Sequence, residues 1–164
     1  MDVSIPRIVS IDEVPRGSLF FHLSAGTNVL CIAGGVDAEL SGGDDLIVVP
    51  LRYDGHPDSL GYAINARNFG GKALIVENPL ARVVPSSSQR YNDGSVVFAG
   101  GDDLYLPVMR GQGFIAGYIS LSTGQIVSYV PDAVGFSQWE IVDSEDTDRV
   151  IWSSGGASND EEQE

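Results

Sequence analysis

The chain has 164 residues, 43% hydrophobic and 20% charged, a composition typical of one folded domain. Its 23 acidic residues against 9 Lys and Arg leave a formal net charge of −14, which disfavours nucleic acids and anionic membranes as partners. The single cysteine, Cys31, excludes an intrachain disulfide and a cysteine-ligated metal cluster, and its apolar neighbours predict a buried, unreactive thiol.

Neither a membrane span nor a secretory leader is predicted. No apolar stretch approaches the roughly 20 residues that a transmembrane helix requires. The acidic start, with Asp2, Asp12 and Glu13, lacks the basic segment and apolar core of a signal peptide. We therefore expect a soluble, cytoplasmic protein that does not bind membranes.

Short segments of β-branched and alternating apolar residues, separated by turn residues, predict a succession of strands. In chain order these are 7–14, 18–24, 28–33, 46–53, 62–66, 73–76, 82–84, 95–99, 104–109, 114–121, 125–130, 138–142 and 149–152. Twenty Gly and eight Pro leave room for no more than a helical turn or two, such as one at 38–42. The sequence predicts an all-β fold, a compact antiparallel barrel or two-sheet sandwich of about ten to thirteen short strands.

The clearest predicted hairpin covers 117–130. Ile119 and Leu121 alternate with serines before the turn residues Thr123 and Gly124. This alternation is typical of a strand with one apolar and one polar face.

Residues 1–152 are predicted to form the single all-β domain. The remaining segment, 153–164, is rich in Ser and Gly and then acidic, which is typical of a flexible acidic tail.

A repeated string raises the possibility of two related halves. Gly-Gly-Asp-Asp-Leu occurs at 42–46 and again at 100–104. A competing alignment matches Ala-Gly-Gly at 33–35 to the same tripeptide at 99–101, which shows how easily a glycine-rich chain imitates a repeat. Internal duplication stays an open hypothesis.

The aspartate pairs of this string are the candidate metal ligands: Asp44, Asp45, Asp102 and Asp103. Adjacent aspartates on a turn between strands can hold calcium or magnesium. Gly and Asp are also the residues that hairpin turns require, and we favour that interpretation. For the acidic run at 143–148, a solvated loop is likewise favoured over a calcium loop, and no bound cofactor is expected.

Catalytic residues are not evident. His22 and His56 are the only histidines, and we expect the first on a strand surface and the second in a turn. Enzymatic activity is therefore disfavoured. The Tyr and Trp residues could line a carbohydrate or peptide groove, although packing within or beside the core is favoured; they are Tyr53, Tyr62, Tyr105, Tyr118, Tyr129, Trp139 and Trp152.

Three functions fit these features. The first is a non-catalytic interaction module, of the inhibitor or immunity type, whose acidic surface engages a basic protein partner. The second is a structural subunit that self-associates in a larger assembly, such as a viral or phage particle. The third is a β protein that binds a divalent metal through its Asp pairs.

Overall fold

Each of the thirteen predicted strand segments overlaps a strand in the structure. The computed structural model describes residues 6–24, 27–35, 46–51, 64–84, 97–110 and 114–154. Within these ranges lie β1 (Ile8–Ser10), β2 (Leu19–Ser24), β3 (Thr27–Gly34), β4 (Ile47–Pro50), β5 (Ile64–Asn65), β6 (Lys72–Ile75), β7 (Pro79–Val83), β8 (Val97–Gly100), β9 (Asp103–Arg110), β10 (Phe114–Ser120), β11 (Ile126–Val127), β12 (Val134–Phe136), β13 (Trp139–Asp143) and β14 (Val150–Ser153).

Helical structure within the described residues is limited to single turns. A 3-10 turn covers Ile11–Glu13, and one turn of α-helix, α1, covers Ala66–Phe69. The sequence predicts strand over Ile11–Glu13, whereas of Ala66–Phe69 only Ala66 belongs to a predicted strand, 62–66. The helical turn expected at 38–42 lies outside the described residues. Of the tail predicted at 153–164, residues 155–164 also lie outside them, whereas Ser153 belongs to β14.

The strands pair into three antiparallel sheets, which confirms the predicted all-β class. The six-stranded sheet has the order β1-β6-β2-β3-β4-β5, and the five-stranded sheet has the order β11-β10-β9-β8-β12. A three-stranded sheet has the order β14-β13-β7.

The strand order of the first half of the chain recurs in the second half. β2 to β5 form a meander and β6 returns to pair with β2, just as β8 to β11 form a meander and β12 returns to pair with β8. In the first half, β1 pairs with β6. In the second half, β7 pairs with β13, the strand that closely follows β12. Six strands in each half therefore share one order, if β12 and β13 are taken as one interrupted strand.

The repeated Gly-Gly-Asp-Asp-Leu string does not mark equivalent points of these halves. Residues 100–104 end β8 and begin β9. Residues 42–45 lie outside the described residues, and Leu46 directly precedes β4, which corresponds by strand order to β10. The strand order repeats, but the alignment that this string predicts does not follow it.

The central strands of the six-stranded sheet are buried on both faces. Leu30 and Ile32 face one apolar cluster, which also receives Ile119 of β10 and Trp139 of β13. Their neighbours in β3, including Cys31, face a second cluster. Because successive strand residues point to opposite faces, burial on both sides explains why this segment is continuously apolar.

Four glycines join the six-stranded and five-stranded sheets, and we call Gly17, Gly34, Gly35 and Gly124 the glycine junction. Gly35 N donates to Gly124 O at 3.0 Å, and Ile126 N donates to Gly35 O at 3.0 Å. A Cβ on Gly124 would press against the Ala33 carbonyl oxygen and lie 2.5 Å from Gly17 N. Backbone meets backbone here, so the contact requires glycine.

Candidate functional site

The described Gly-Asp-Asp turn uses its second aspartate as a hydrogen-bond acceptor. Asp102 is exposed on the β8–β9 turn, and Asp103 is half-buried at the start of β9. Asp103 Oδ2 accepts hydrogen bonds from Ser120 Oγ at 2.5 Å and Ser122 Oγ at 2.8 Å. Its Oδ1 accepts one from Leu104 N at 2.8 Å. Both carboxylate oxygens thus have partners within the protein.

Ser120 extends this network into the next turn. Its side chain is buried, although the sequence places it on the polar face of β10, and its hydroxyl accepts hydrogen bonds from Thr123 N at 3.0 Å and Thr123 Oγ1 at 2.9 Å. Burial of a hydroxyl is tolerated when its hydrogen bonds are made. The network therefore ties the β8–β9 turn to the β10–β11 turn.

The other aspartate pair, Asp44 and Asp45, lies outside the described residues. Among the residues that the structure describes, no three His, Cys, Asp or Glu side chains are grouped so as to hold a metal ion. Binding of calcium or magnesium stays a hypothesis for all four aspartates.

The acidic run at 143–148, here called the acidic loop, connects β13 to β14. Asp143 Oδ1 accepts a hydrogen bond from Glu145 N at 2.9 Å, and Asp146 Oδ1 accepts one from Asp148 N at 3.3 Å. Arg149 Nη1 lies 3.7 Å from Asp143 Oδ2. These bonds hold the loop in two successive turns. Residues Ser144–Asp148 are exposed, so their charges face solvent.

A cleft of about 370 Å³ lies beside the acidic loop. Three carboxylates and two guanidinium groups line it together with apolar side chains; the charged residues are Glu77, Asp143, Glu145, Arg7 and Arg149. Charges of both signs stand next to each other here, and Arg149 is already paired with Asp143.

A second concave site, which we call the aromatic pocket, has a volume of about 350 Å³. It is lined by Phe98, Tyr118, Tyr129, Val130, Asp132 and Ala133. The rings of Phe98 and Tyr118 meet edge to face, with their centroids 5.6 Å apart and their planes at 82°. Tyr129 is 70% exposed, so one ring of the pocket is open to an approaching molecule.

The outward face of the five-stranded sheet supplies two of these rings. Val97 in β8 and Ile119 in β10 are buried in the core, and the alternation of a strand therefore turns their neighbours, Phe98 and Tyr118, to the opposite face. The strands are separated only by β9. Their rings therefore meet over β9, where Phe98 pairs with Tyr105 and Tyr118 pairs with Pro107.

The segment between β11 and β12 supplies the remaining walls. A Cβ on Gly100 would press against Val130 Cγ1, so this glycine lets the segment pack closely on β8. Asp132 follows at φ 51°, a left-handed conformation in which Asp is enriched among residues other than glycine. Asp132 is exposed and lines the pocket, and among the described lining residues it is the one with a charged side chain.

The aromatic residues named from the sequence fall into two groups in the structure, those that pack in or beside the core and those that line the pocket. Trp139 and Trp152 pack together, with ring centroids 4.7 Å apart, and Trp139 is buried in the core. Tyr118 and Tyr129 line the pocket instead, whereas Tyr53 and Tyr62 lie outside the described residues. Phe98 was not among the aromatic residues named from the sequence, although the alternation around Val97 could have placed it outward.

In the six-stranded sheet, the side chain of His22 is hydrogen-bonded within the fold and that of Cys31 is buried. His22 Nε2 donates to Gly70 O at 3.0 Å, and the imidazole packs on Phe69 with centroids 4.4 Å apart. Burial raises the pKa of the Cys31 thiol to about 12, so the reactive thiolate is disfavoured. His56 lies outside the described residues.

Over the described ranges, no helix has the length and apolar character needed to cross a membrane. No family model matches the chain, and neither a curated protein nor a solved structure does.

Proposed function

We propose that this chain is a non-catalytic interaction module whose acidic surface engages a basic protein partner. The observation that carries the proposal is the balance of exposed charge. Among residues whose exposure the structure describes, eight exposed acids face four exposed bases; the acids are Asp12, Glu13, Glu77, Asp102, Asp132, Glu145, Asp146 and Asp148, and the bases are Arg7, Arg16, Lys72 and Arg149.

Ion pairing reduces the free positive charge further. Arg149 lies beside Asp143, and Arg82, which is half-buried, contacts Glu140 at 2.7 Å. The acidic loop meanwhile presents Glu145, Asp146 and Asp148 to solvent. A field of this sign attracts a basic partner and repels acidic ones, and its effect falls as salt screens it.

The test is affinity capture followed by binding at several salt concentrations. The protein is immobilised, captured proteins are identified from an extract of its source cells, and each is purified for calorimetric titration between low and high salt. We expect a basic protein that binds with defined stoichiometry and whose Kd rises strongly with salt. Salt-independent binding, or capture of acidic proteins alone, would contradict the proposal.

Charge-neutralising variants locate the contribution of the acidic loop. Glu145→Gln with Asp148→Asn removes two carboxylates there, and Asp12→Asn with Asp102→Asn removes two elsewhere. We expect the first pair to slow association more than the second, because rim charges act mainly on the association rate. Equal effects would mean that only total charge matters and that the loop is not the contact surface.

A second candidate, a self-associating structural subunit, is favoured by exposed apolar residues on edge strands. Ile8 in β1 is 52% exposed, Leu80 in β7 is 43% exposed and Val150 in β14 is 49% exposed. Edge strands pair readily with further strands, and apolar side chains strengthen such contacts. Light scattering at high protein concentration should give a multiple of 17.4 kDa if this candidate is correct, and the mass of one chain would eliminate it.

A further inference from the structure

The aromatic pocket combines features that recognise one kind of chemical group. Three rings from three segments of the chain line it, and Asp132 adds a carboxylate. Its volume of about 350 Å³ is at the lower end of the roughly 300–1,000 Å³ of small-molecule sites. A pocket of this size accepts one side chain rather than a peptide strand or a helix.

We propose that the aromatic pocket binds one cationic side chain, the guanidinium or ammonium head of an arginine or lysine on a basic partner. The inference rests on the proposed function, which supplies the protein that carries the cation. Ring faces attract cations through their quadrupole, and a carboxylate adds a charge-assisted hydrogen bond. A guanidinium can use both, since it stacks on rings and donates to a carboxylate.

The walls of the pocket are held in place before any ligand arrives. Phe98 and Tyr118 belong to paired strands, and the contact at Gly100 fixes Val130 beside them. The turn that precedes β12 then places Asp132 on the same pocket. Since these groups need little rearrangement, binding has little ordering entropy to overcome. Tyr129, which is mostly exposed, is the ring that a partner can reach most directly.

Ring resonances of tyrosine report on this pocket directly. The full-length protein is labelled with ¹³C at its six tyrosines, and Tyr129→Phe and Tyr118→Phe assign the two relevant signals. N-acetyl-arginine amide and N-acetyl-lysine amide are titrated at constant ionic strength. N-acetyl-citrulline amide serves as the neutral control because it keeps the shape of arginine without its charge.

We expect saturable shifts of the Tyr118 and Tyr129 signals with one or both cations and none with citrulline. Tyr129→Ala should weaken binding by about threefold to tenfold, the range expected for loss of one ring contact, while Tyr129→Phe should retain it. Asp132→Asn should weaken binding while keeping the left-handed turn, because Asn tolerates that conformation. Asp12→Asn removes the same charge away from the pocket and should leave the affinity unchanged.

Several results would overturn the inference. Equal shifts with citrulline would show that charge is not recognised, and unchanged affinity in Tyr129→Ala would place the cation elsewhere. Saturable binding of maltose or a proline-rich peptide, with no binding of either cation, would assign the pocket to a different ligand.

The two proposals can fail separately. If a basic partner binds in a salt-dependent manner but Tyr129→Ala binds it equally well, the pocket inference fails and the proposed function stands. If the cations bind in the pocket but no basic protein is captured, the proposed function fails and the pocket keeps its cation site.

Discussion

Replacement of Gly124 by alanine tests how the two larger sheets are joined. The added Cβ would overlap the Ala33 carbonyl oxygen and approach Gly17 N to 2.5 Å, and neither is a flexible side chain that can move aside. Overpacking of this kind costs about 1–3 kcal/mol. Residue 124 also has φ +71°, which adds about 1–2 kcal/mol for an L-residue.

The two effects together predict a loss of roughly 2–5 kcal/mol from a total stability of about 5–15 kcal/mol. Urea denaturation followed by tryptophan fluorescence measures it, because Trp139 is buried in the core cluster to which both larger sheets contribute. The matched control is Gly101→Ala, where φ is +61° and a Cβ meets nothing within 4 Å. If Gly124→Ala destabilises the protein no more than Gly101→Ala, close backbone contact at the junction is not what holds the sheets together.

Three further predictions follow from the described side chains. Asp103→Ala should lower the free energy of unfolding by about 1–3 kcal/mol, because the buried Ser120 hydroxyl loses its acceptor. The control Asp102→Ala, at an exposed position, should change it by no more than about 0.5 kcal/mol. Equal losses would show that the hydrogen bonds of Asp103 do not stabilise the fold. Calcium, magnesium and manganese should leave the Tm unchanged, since the oxygens of Asp103 are already engaged, and a rise with any of them would support the metal hypothesis. Burial raises the Cys31 pKa from 9.0 to about 12, so the unfolded chain releases this proton at a lower pH than the folded protein does. The free energy of unfolding should therefore fall above about pH 9, by up to about 1.4 kcal/mol per pH unit. Chemical denaturation from pH 8 to 11 should show a shallower fall in Cys31→Ala than in the wild type, and identical slopes would refute the pKa shift.

Local sequence patterns predicted most of the strands because alternation and turn residues act over short distances. β2, β3 and β10 lie close to their predicted bounds, whereas β11 covers only Ile126–Val127 of the predicted 125–130. β12 was missed because its three residues include Gly135 and gain their strand character from pairing with β8. The helical turn α1 was missed for a similar reason, since Ala66 N bonds to Leu46 O, a contact from a distant part of the chain.

The aromatic pocket could not be predicted from the sequence, because pairing between distant strands assembles it. Nothing in the local pattern of Phe98, Tyr118 or Tyr129 shows that these residues meet, because their approach depends on β8 and β10 both pairing with β9. The same limit explains the misleading Gly-Gly-Asp-Asp-Leu string. Gly and Asp recur wherever a turn needs them, as they do between β8 and β9, while the repeated strand order becomes visible only once the sheets are paired.

The most direct test of the account is the structure of the protein bound to a captured basic partner, determined from intermolecular nuclear Overhauser effects. The account predicts contacts between the ring protons of Phe98, Tyr118 and Tyr129 and the side chain of an arginine or lysine of the partner. A complex in which the partner binds a different face and leaves these rings exposed to solvent would contradict it.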